Sequence, residues 1–229
     1  MNRKYFLVLI LLFCSFLVFA GDVANYVNLG FSDNSKYFMF GLYGIDYKTT
    51  KPYADIYTVD VAGNKFAADG VINKLYSKNI QPGQDGSGAL YNLLAENHDK
   101  LNKFDVNHLN KGRIVYLLIN GGESKDNLEF RDFKNNSRYK VSLIQQRFGS
   151  EKEPSASFHI ALTVTDKNEK TSTYTIGLPD YKRKDVMKYR IKQVMFAPDE
   201  KSLVFVIEKE LLDGSGPSIR YMVETVKLK

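Results

Sequence analysis

Residues 29–61 read LGFSDNSKYFMFGLYGIDYKTTKPYADIYTVDV, and residues 194–226 read VMFAPDEKSLVFVIEKELLDGSGPSIRYMVETV. The two stretches align without a gap at an offset of 165 residues. Phe31 falls on Phe196, Lys36 on Lys201, Phe40 on Phe205, Pro52 on Pro217 and Val61 on Val226. Each opens with an aromatic residue and a polar turn, Ser32-Asp33-Asn34-Ser35 in one and Ala197-Pro198-Asp199-Glu200 in the other. Asp and Asn close such turns by bonding their own backbone, and Pro pre-sets φ. An unbroken apolar run follows in each, Phe38 to Leu42 and Leu203 to Ile207. Runs that do not alternate suit a strand covered on both faces. After a loop the second strand alternates, with Ile56, Thr58 and Asp60 facing one way and Tyr57, Val59 and Val61 the other, the pattern of a half-exposed strand. The pattern predicts the same hairpin unit at both ends of the chain.

Working outward, the first twenty residues have the form of a signal peptide. Arg3 and Lys4 give a positive start, Tyr5 to Phe19 is almost wholly apolar, and Val18-Phe19-Ala20 before Gly21 carries small residues where a signal peptidase reads. Two alternatives are a retained anchor and lipid attachment at Cys14, where bulky Phe13 fits poorly. Cleavage after Ala20 leaves 209 of the 229 residues, with no transmembrane span and no cysteine, since Cys14 is the only one. Losing Arg3 and Lys4 takes the basic count from 32 to 30 against 26 acids, a net charge of +4. That excess is mild and scattered, and Lys182-Arg183-Lys184 reads as a solvated loop, so nucleic acid is not an expected partner.

From Ala67 to Asn110 the pattern changes to a helical insertion, with Leu90, Leu93, Leu94, Leu101 and Phe104 on one stripe of a helix over 89–104 capped by Asp85 or Ser87. Asp85-Gly86-Ser87-Gly88 and Asp213-Gly214-Ser215-Gly216 read as turns, because neither has the acids of a calcium loop or the Lys of a phosphate loop. Strands then follow: Ile114 to Ile119, continuous and apolar and so expected at a sheet centre, then Leu128 to Phe133, Tyr139 to Gln146, Phe158 to Thr165, Thr171 to Leu178 and Tyr189 to Phe196. The expected fold is mainly β: antiparallel sheets with propeller-like hairpins at both ends, about nine or ten strands, and one inserted helix. A β-sandwich is the alternative. Residues 21–229 are read as a single domain, with a long loop over 150–157.

Two resemblances bear on this. Phe31-Ser32, Ile56-Tyr57-Thr58-Val59-Asp60, Phe196-Ala197-Pro198-Asp199 and Lys201 resemble the WD-like repeats of periplasmic β-propellers. The turn glycine of that repeat is replaced by Ser35 and Glu200, the chain has no Trp, and the middle of the chain does not repeat the motif. Gly21-Asp22-Val23-Ala24-Asn25, Gly30-Phe31-Ser32, Tyr43-Gly44 and Pro52-Tyr53-Ala54-Asp55-Ile56-Tyr57 look like an uncharacterised family of predicted secreted bacterial proteins, a domain of unknown function. That resemblance implies a compartment and no reaction.

Catalytic signatures are few. His98, His108 and His159 show no metal-ligand spacing, no Gly-x-Ser-x-Gly elbow is present, and neither a metal nor a cofactor is expected. The candidate contact residues are Tyr43, Asp46, Tyr53 and Asp55, in and beside the first hairpin's loop. Tyr offers an apolar face with a polar tip, and the two acids offer acceptors, a combination suited to a surface glycan or an envelope protein. The competing view is that these tyrosines pack across strands. The reading is therefore a periplasmic or secreted protein of unknown function that leans to a non-enzymatic binding or interaction module. A secreted hydrolase acting on cell-wall or surface polymer is the alternative, and requires His108 or His159 to meet a carboxylate in a cleft.

Overall fold

The computed structural model describes residues 21–81, 83–120, 122–213 and 216–228. The expected signal peptide and Cys14 lie outside the described residues, as does the centre of the 213–216 connection. The chain forms β1 (Asn25–Ser32), β2 (Tyr37–Asp46), β3 (Lys51–Asp60), β4 (Lys65–Leu75), α1 (Ser87–Glu96), α2 (His98–Asn102), β5 (Val106–Asn107), β6 (Arg113–Leu117), β7 (Asn127–Asp132), β8 (Ser137–Gly149), β9 (Pro154–Thr165), β10 (Thr171–Lys184), β11 (Val186–Phe196), β12 (Ser202–Asp213) and β13 (Gly216–Lys227). These make three antiparallel sheets, ordered β4-β3-β2-β1-β5, β13-β12-β11-β6 and β10-β9-β8-β7. The protein is mainly β, with no closed or propeller sheet among the described residues.

The terminal hairpins lie in different sheets that face each other. Their first halves match residue for residue: Phe31 pairs with Phe38 and Phe196 with Leu203, preserving the offset of 165. Ser35 and Glu200, at the positions where the repeat has glycine, both adopt left-handed backbone, with φ of 57° and 53°. Asn34 accepts from the Lys36 amide at 3.0 Å and Asp199 from the Lys201 amide at 2.9 Å, so both turns close by the same side-chain device. The second halves depart from the ungapped alignment. Asp46 pairs with Lys51 in the first hairpin, whereas in the second Asp213 pairs with Gly216. The second strand of the later copy is thus shifted by two residues. An even shift keeps every side chain on its own face, which is why the alignment looked intact.

The sheet of β11 and β12 is central. Leu203, Phe205 and Ile207 pack towards β7–β10 with Phe158, Ile160 and Tyr189. Val204 and Val206 pack the other way, against Phe38, Phe40 and Leu42 of β2. All five β12 residues are fully buried, so the continuous apolar run is explained by two cores rather than one. The first sheet is likewise covered twice, because α1 sets Leu90 and Leu93 against Met39, Ala54 and Ile56. A β-carbon on Gly41 would lie 2.7 Å from Leu90 Cδ1, so the helix rests directly on bare backbone there.

Several expectations are corrected. β3 is covered on both faces, by α1 and by the central sheet, rather than half-exposed. The expected 16-residue helix is two helices divided at Asn97, whose side chain donates to Leu93 O at 2.9 Å. Gly86 occupies the helix start, with the Asp85 carboxylate accepting from the Ser87 amide at 2.8 Å. The helical insertion begins later than residue 67, because β4 runs to Leu75. The loop expected over 150–157 is short, with β9 starting at Pro154. Ile114 to Ile119 is an edge, not a centre: among the described residues β6 bonds only β11.

Candidate functional site

The first hairpin's loop sits where β2 hands over to β3. Asp46 ends β2 and folds its own turn, accepting from the Thr49 amide at 2.8 Å and the Thr49 hydroxyl at 2.7 Å. Those hydrogen bonds hold its carboxyl below the usual range. Two residues apart on β3, Tyr53 and Asp55 share the face turned to the central sheet. Tyr53 lies opposite Gly44, where a β-carbon would come 2.5 Å from the phenol oxygen, so only glycine leaves the ring its place. Asp55 lies opposite Asn73 of β4, whose amide donates to it at 2.7 Å.

The N-terminal segment closes the inner side. The Asp22 amide donates to Ser218 Oγ at 3.1 Å, its carbonyl accepts from the Ile219 amide at 2.9 Å, and Val23 bridges to Ile219 in parallel sense. Asp22 is buried. Its carboxylate accepts from Arg220 and from the Tyr53 hydroxyl at 3.3 Å. The Arg220 guanidinium lies over the Tyr53 ring at 5.0 Å, a cation–π contact. Around these groups is a recess of about 390 Å³ lined by Asp46, Tyr53, Asp55, Asn73, Lys74, Leu75 and Arg220.

Three carboxylates share this corner with one guanidinium. Burial pushes the Asp22 carboxyl up, Arg220 and Tyr53 oppose it, and nearby Asp46 adds to the rise. Burial also raises Asp55, against Asn73 and Arg220, with Asp22 adding. The Tyr53 phenol is pushed far above its ordinary value, by burial first. Lys74 is engaged by Glu96 at 2.6 Å. The recess presents carboxylate acceptors beside amide and cationic donors.

Three of the four candidate residues, Asp46, Tyr53 and Asp55, therefore meet. Tyr43 does not. It packs on the helix side of the same sheet, where burial and the neighbouring Asp85 and Tyr91 raise its phenol. The Tyr53 ring is buried, so what it brings to the recess is its hydroxyl and the cation stacked on it. Asp22, Asn73 and Arg220 escaped the sequence reading. Asp22 stands 198 positions from Arg220, and no local pattern joins them; Asp22 figured only in the resemblance over residues 21–25, with nothing to tie it to the C-terminal strand.

The histidines are not all apart. His98, Asn102, Asp105 and His108 line a second recess of about 340 Å³ over Met39, Leu94 and Leu101. His108 Nδ1 lies 2.6 Å from Leu29 O, a contact in which Nδ1 donates. His159 lies on β9 beside Gly177 of β10, away from both recesses. No group of three or more metal-binding side chains is assembled among the described residues.

The residues now on the page can be set against known families. Residues 39–227 match the family described as predicted secreted protein (DUF2259). The chain belongs to it. This DUF2259 member is thus a predicted secreted protein of unknown function. No curated protein matches it. The family match begins within β2, after the first turn, and takes in the whole second hairpin and every residue lining the recess; Asp22 lies before it. No helix among the described residues is long and apolar enough to cross a membrane.

Proposed function

We propose that this protein is exported to the periplasm or beyond after cleavage between Ala20 and Gly21, and acts as a non-enzymatic binding module of the cell envelope. Its contact site is the recess of Asp46, Tyr53, Asp55, Asn73 and Arg220. The observation that carries this reading is the Asp55 carboxylate. It is held by Asn73 at 2.7 Å, raised by burial, and left at a recess that no segment of the described residues fills. A polyhydroxylated envelope glycan, or a basic side chain of an envelope protein, supplies the donors such acceptors need. The test uses residues 21–229 against purified cell-wall sacculi and, separately, against a cross-linked envelope fraction. Retention on one of them should fall at least tenfold in Asp46→Asn/Asp55→Asn, with the thermal midpoint maintained. Equal retention by both proteins would remove the assignment.

One observation favours the hydrolase as a second reading: His108, oriented by its Nδ1 contact with Leu29 O, shares a recess with Asp105. Release of soluble fragments from wall polymer by the wild type, and none by His108→Gln, would establish it. Absence of release by the wild type would discard it.

A further inference from the structure

The outer side of β6 runs beside no other strand among the described residues. The Leu118 amide donates to Lys192 O at 2.8 Å, and the pairs Tyr116–Val194 and Arg113–Phe196 follow at two-residue steps along β11. A bulge between Tyr116 and Ile114 keeps this phase. Leu117 and Ile114 are therefore the residues whose backbone N–H and C=O point away from β11. Their side chains are also in the open: Ile114 is 54%, Leu117 51% and nearby Ile119 74% exposed. From Ile114 to Asn120 the sequence is IVYLLIN, with no charge, proline or glycine.

The other outer edges are blunted in the ways that proteins use against unwanted pairing. Val23 bridges to β13. β4 carries Lys65, Asp69 and Lys74 and breaks its ladder. β10 carries Pro179 and the Lys182-Arg183-Lys184 run, with a register shift. β7 carries Glu129, Arg131 and Asp132, and β5 has two residues. β6 has a bulge of its own and the charge of Arg113 at one end, but its outward residues Ile114 and Leu117 are apolar and exposed.

We propose that β6 is a self-association edge: two copies of the chain pair β6 to β6, antiparallel, about a two-fold axis between Val115 and Tyr116. The four-stranded central sheets then become one continuous sheet through the dimer. A second copy fits for three reasons. The axis sets Ile114 of one chain opposite Leu117 of the other, so the outward backbone groups meet as hydrogen-bonded pairs and apolar side chains face apolar. No charge lies along the run, and Arg113 at its end is already neutralised by Asp132 and Glu200 of its own chain. An isologous pairing uses up both open edges, so association stops at two.

Sedimentation velocity of residues 21–229 over a concentration series tests this. The wild type should move from the monomer mass to twice that mass. Ile114→Lys/Leu117→Lys should stay monomeric with an unchanged circular dichroism spectrum. Phe133→Lys, which removes a side chain 85% exposed on a turn elsewhere, should still dimerise. Should the lysine variant fail to fold, amide exchange in the wild type decides instead: the Ile114 and Leu117 amides should slow as concentration rises. A wild type monomeric at every concentration overturns the proposal. So does a dimer that survives the two lysines, one lost equally in Phe133→Lys, or one whose Ile114 and Leu117 amides stay fast.

Discussion

Glu200 holds a left-handed backbone, φ 53°, and then spends its side chain on a network. Its carboxylate accepts from Arg113 Nε at 3.2 Å and from Lys134 at 2.9 Å, while Arg113 also grips nearly buried Asp132 with both terminal nitrogens. Arg113 and Lys134 hold Glu200 below its ordinary value. Burial acts to raise Asp132, and the Arg113 hydrogen bonds and charge together with the Lys134 and Asn135 amides outweigh it. Both folded values are depressed, so their stabilisation is complete above the ordinary carboxylate range and disappears as pH falls through the depressed values. Asp132→Asn should lose about 1.5–3 kcal/mol at neutral pH, the range for hydrogen bonds to charged groups, with the deficit shrinking in acid denaturation profiles. Asp55 has the opposite sign. Its raised value favours the protonated fold, so the wild type loses stability as pH climbs from its ordinary value near 3.8 through the raised one. Asp55→Asn should therefore match or exceed the wild-type thermal midpoint at neutral pH and lose that advantage in acid. A groove residue kept at a cost in stability fits a binding role. Thr50 is a simpler case, a β-branched residue at φ 55° on an exposed turn. Thr50→Gly should stabilise by about 1 kcal/mol in urea titrations, since left-handed backbone costs side-chain-bearing residues roughly 1–2 kcal/mol. At this scale the turn chemistry was legible, because Asn34 and Asp199 act on neighbours. The Asp22–Arg220 pair was not, because its partners meet only after the whole chain has folded.

Between elements, the decisive contact is the bare patch at Gly41 under Leu90. Gly41→Val should drive the helix off β2, and hydrogen exchange would show residues 87–96 losing protection while β11 and β12 keep theirs. Leu90→Ala should cost about 2–5 kcal/mol, the range for truncating a buried leucine. The apolar stripe announced that a helix would pack somewhere, but its landing site depends on a missing side chain, which no hydrophobic pattern records. The misplacement of Ile114 to Ile119 has a related cause. A continuous apolar run reads the same whether its second face meets another sheet or opens to solvent, so periodicity cannot tell a sheet centre from an uncovered edge. β3 failed in reverse: its alternation read as a half-exposed strand, yet Thr58 is fully buried.

Across the whole molecule, β12 carries two cores on alternate side chains, so truncation on either face should reach every sheet. Phe205→Ala, on one face, should cost about 3–5 kcal/mol. Val206→Ala, on the other, should lower the same single transition rather than reveal a second one; with no Trp in the chain, tyrosine fluorescence is the natural probe. Two separate transitions would mean that the outer sheets fold independently. The equivalence of the terminal hairpins was readable from Phe31/Phe196 and Phe40/Phe205 because each hairpin is local. That the two would face one another across Val204 and Val206 was not, since contacts between positions so far apart leave no trace in either stretch alone.

Gly21 adds a matter of timing. A β-carbon there would sit 1.5 Å from Pro217 O, so the residue is wedged against the last strand, with Asp22 locked beyond it. A peptidase must draw the bond before Gly21 into its cleft as extended chain. If the leader is removed at that bond, the cut comes before the N-terminus seats on β13, and the newly freed end is then sealed away from further trimming. Export, processing and folding would thus occur in a fixed order, with the final strand acting as the latch that ends it.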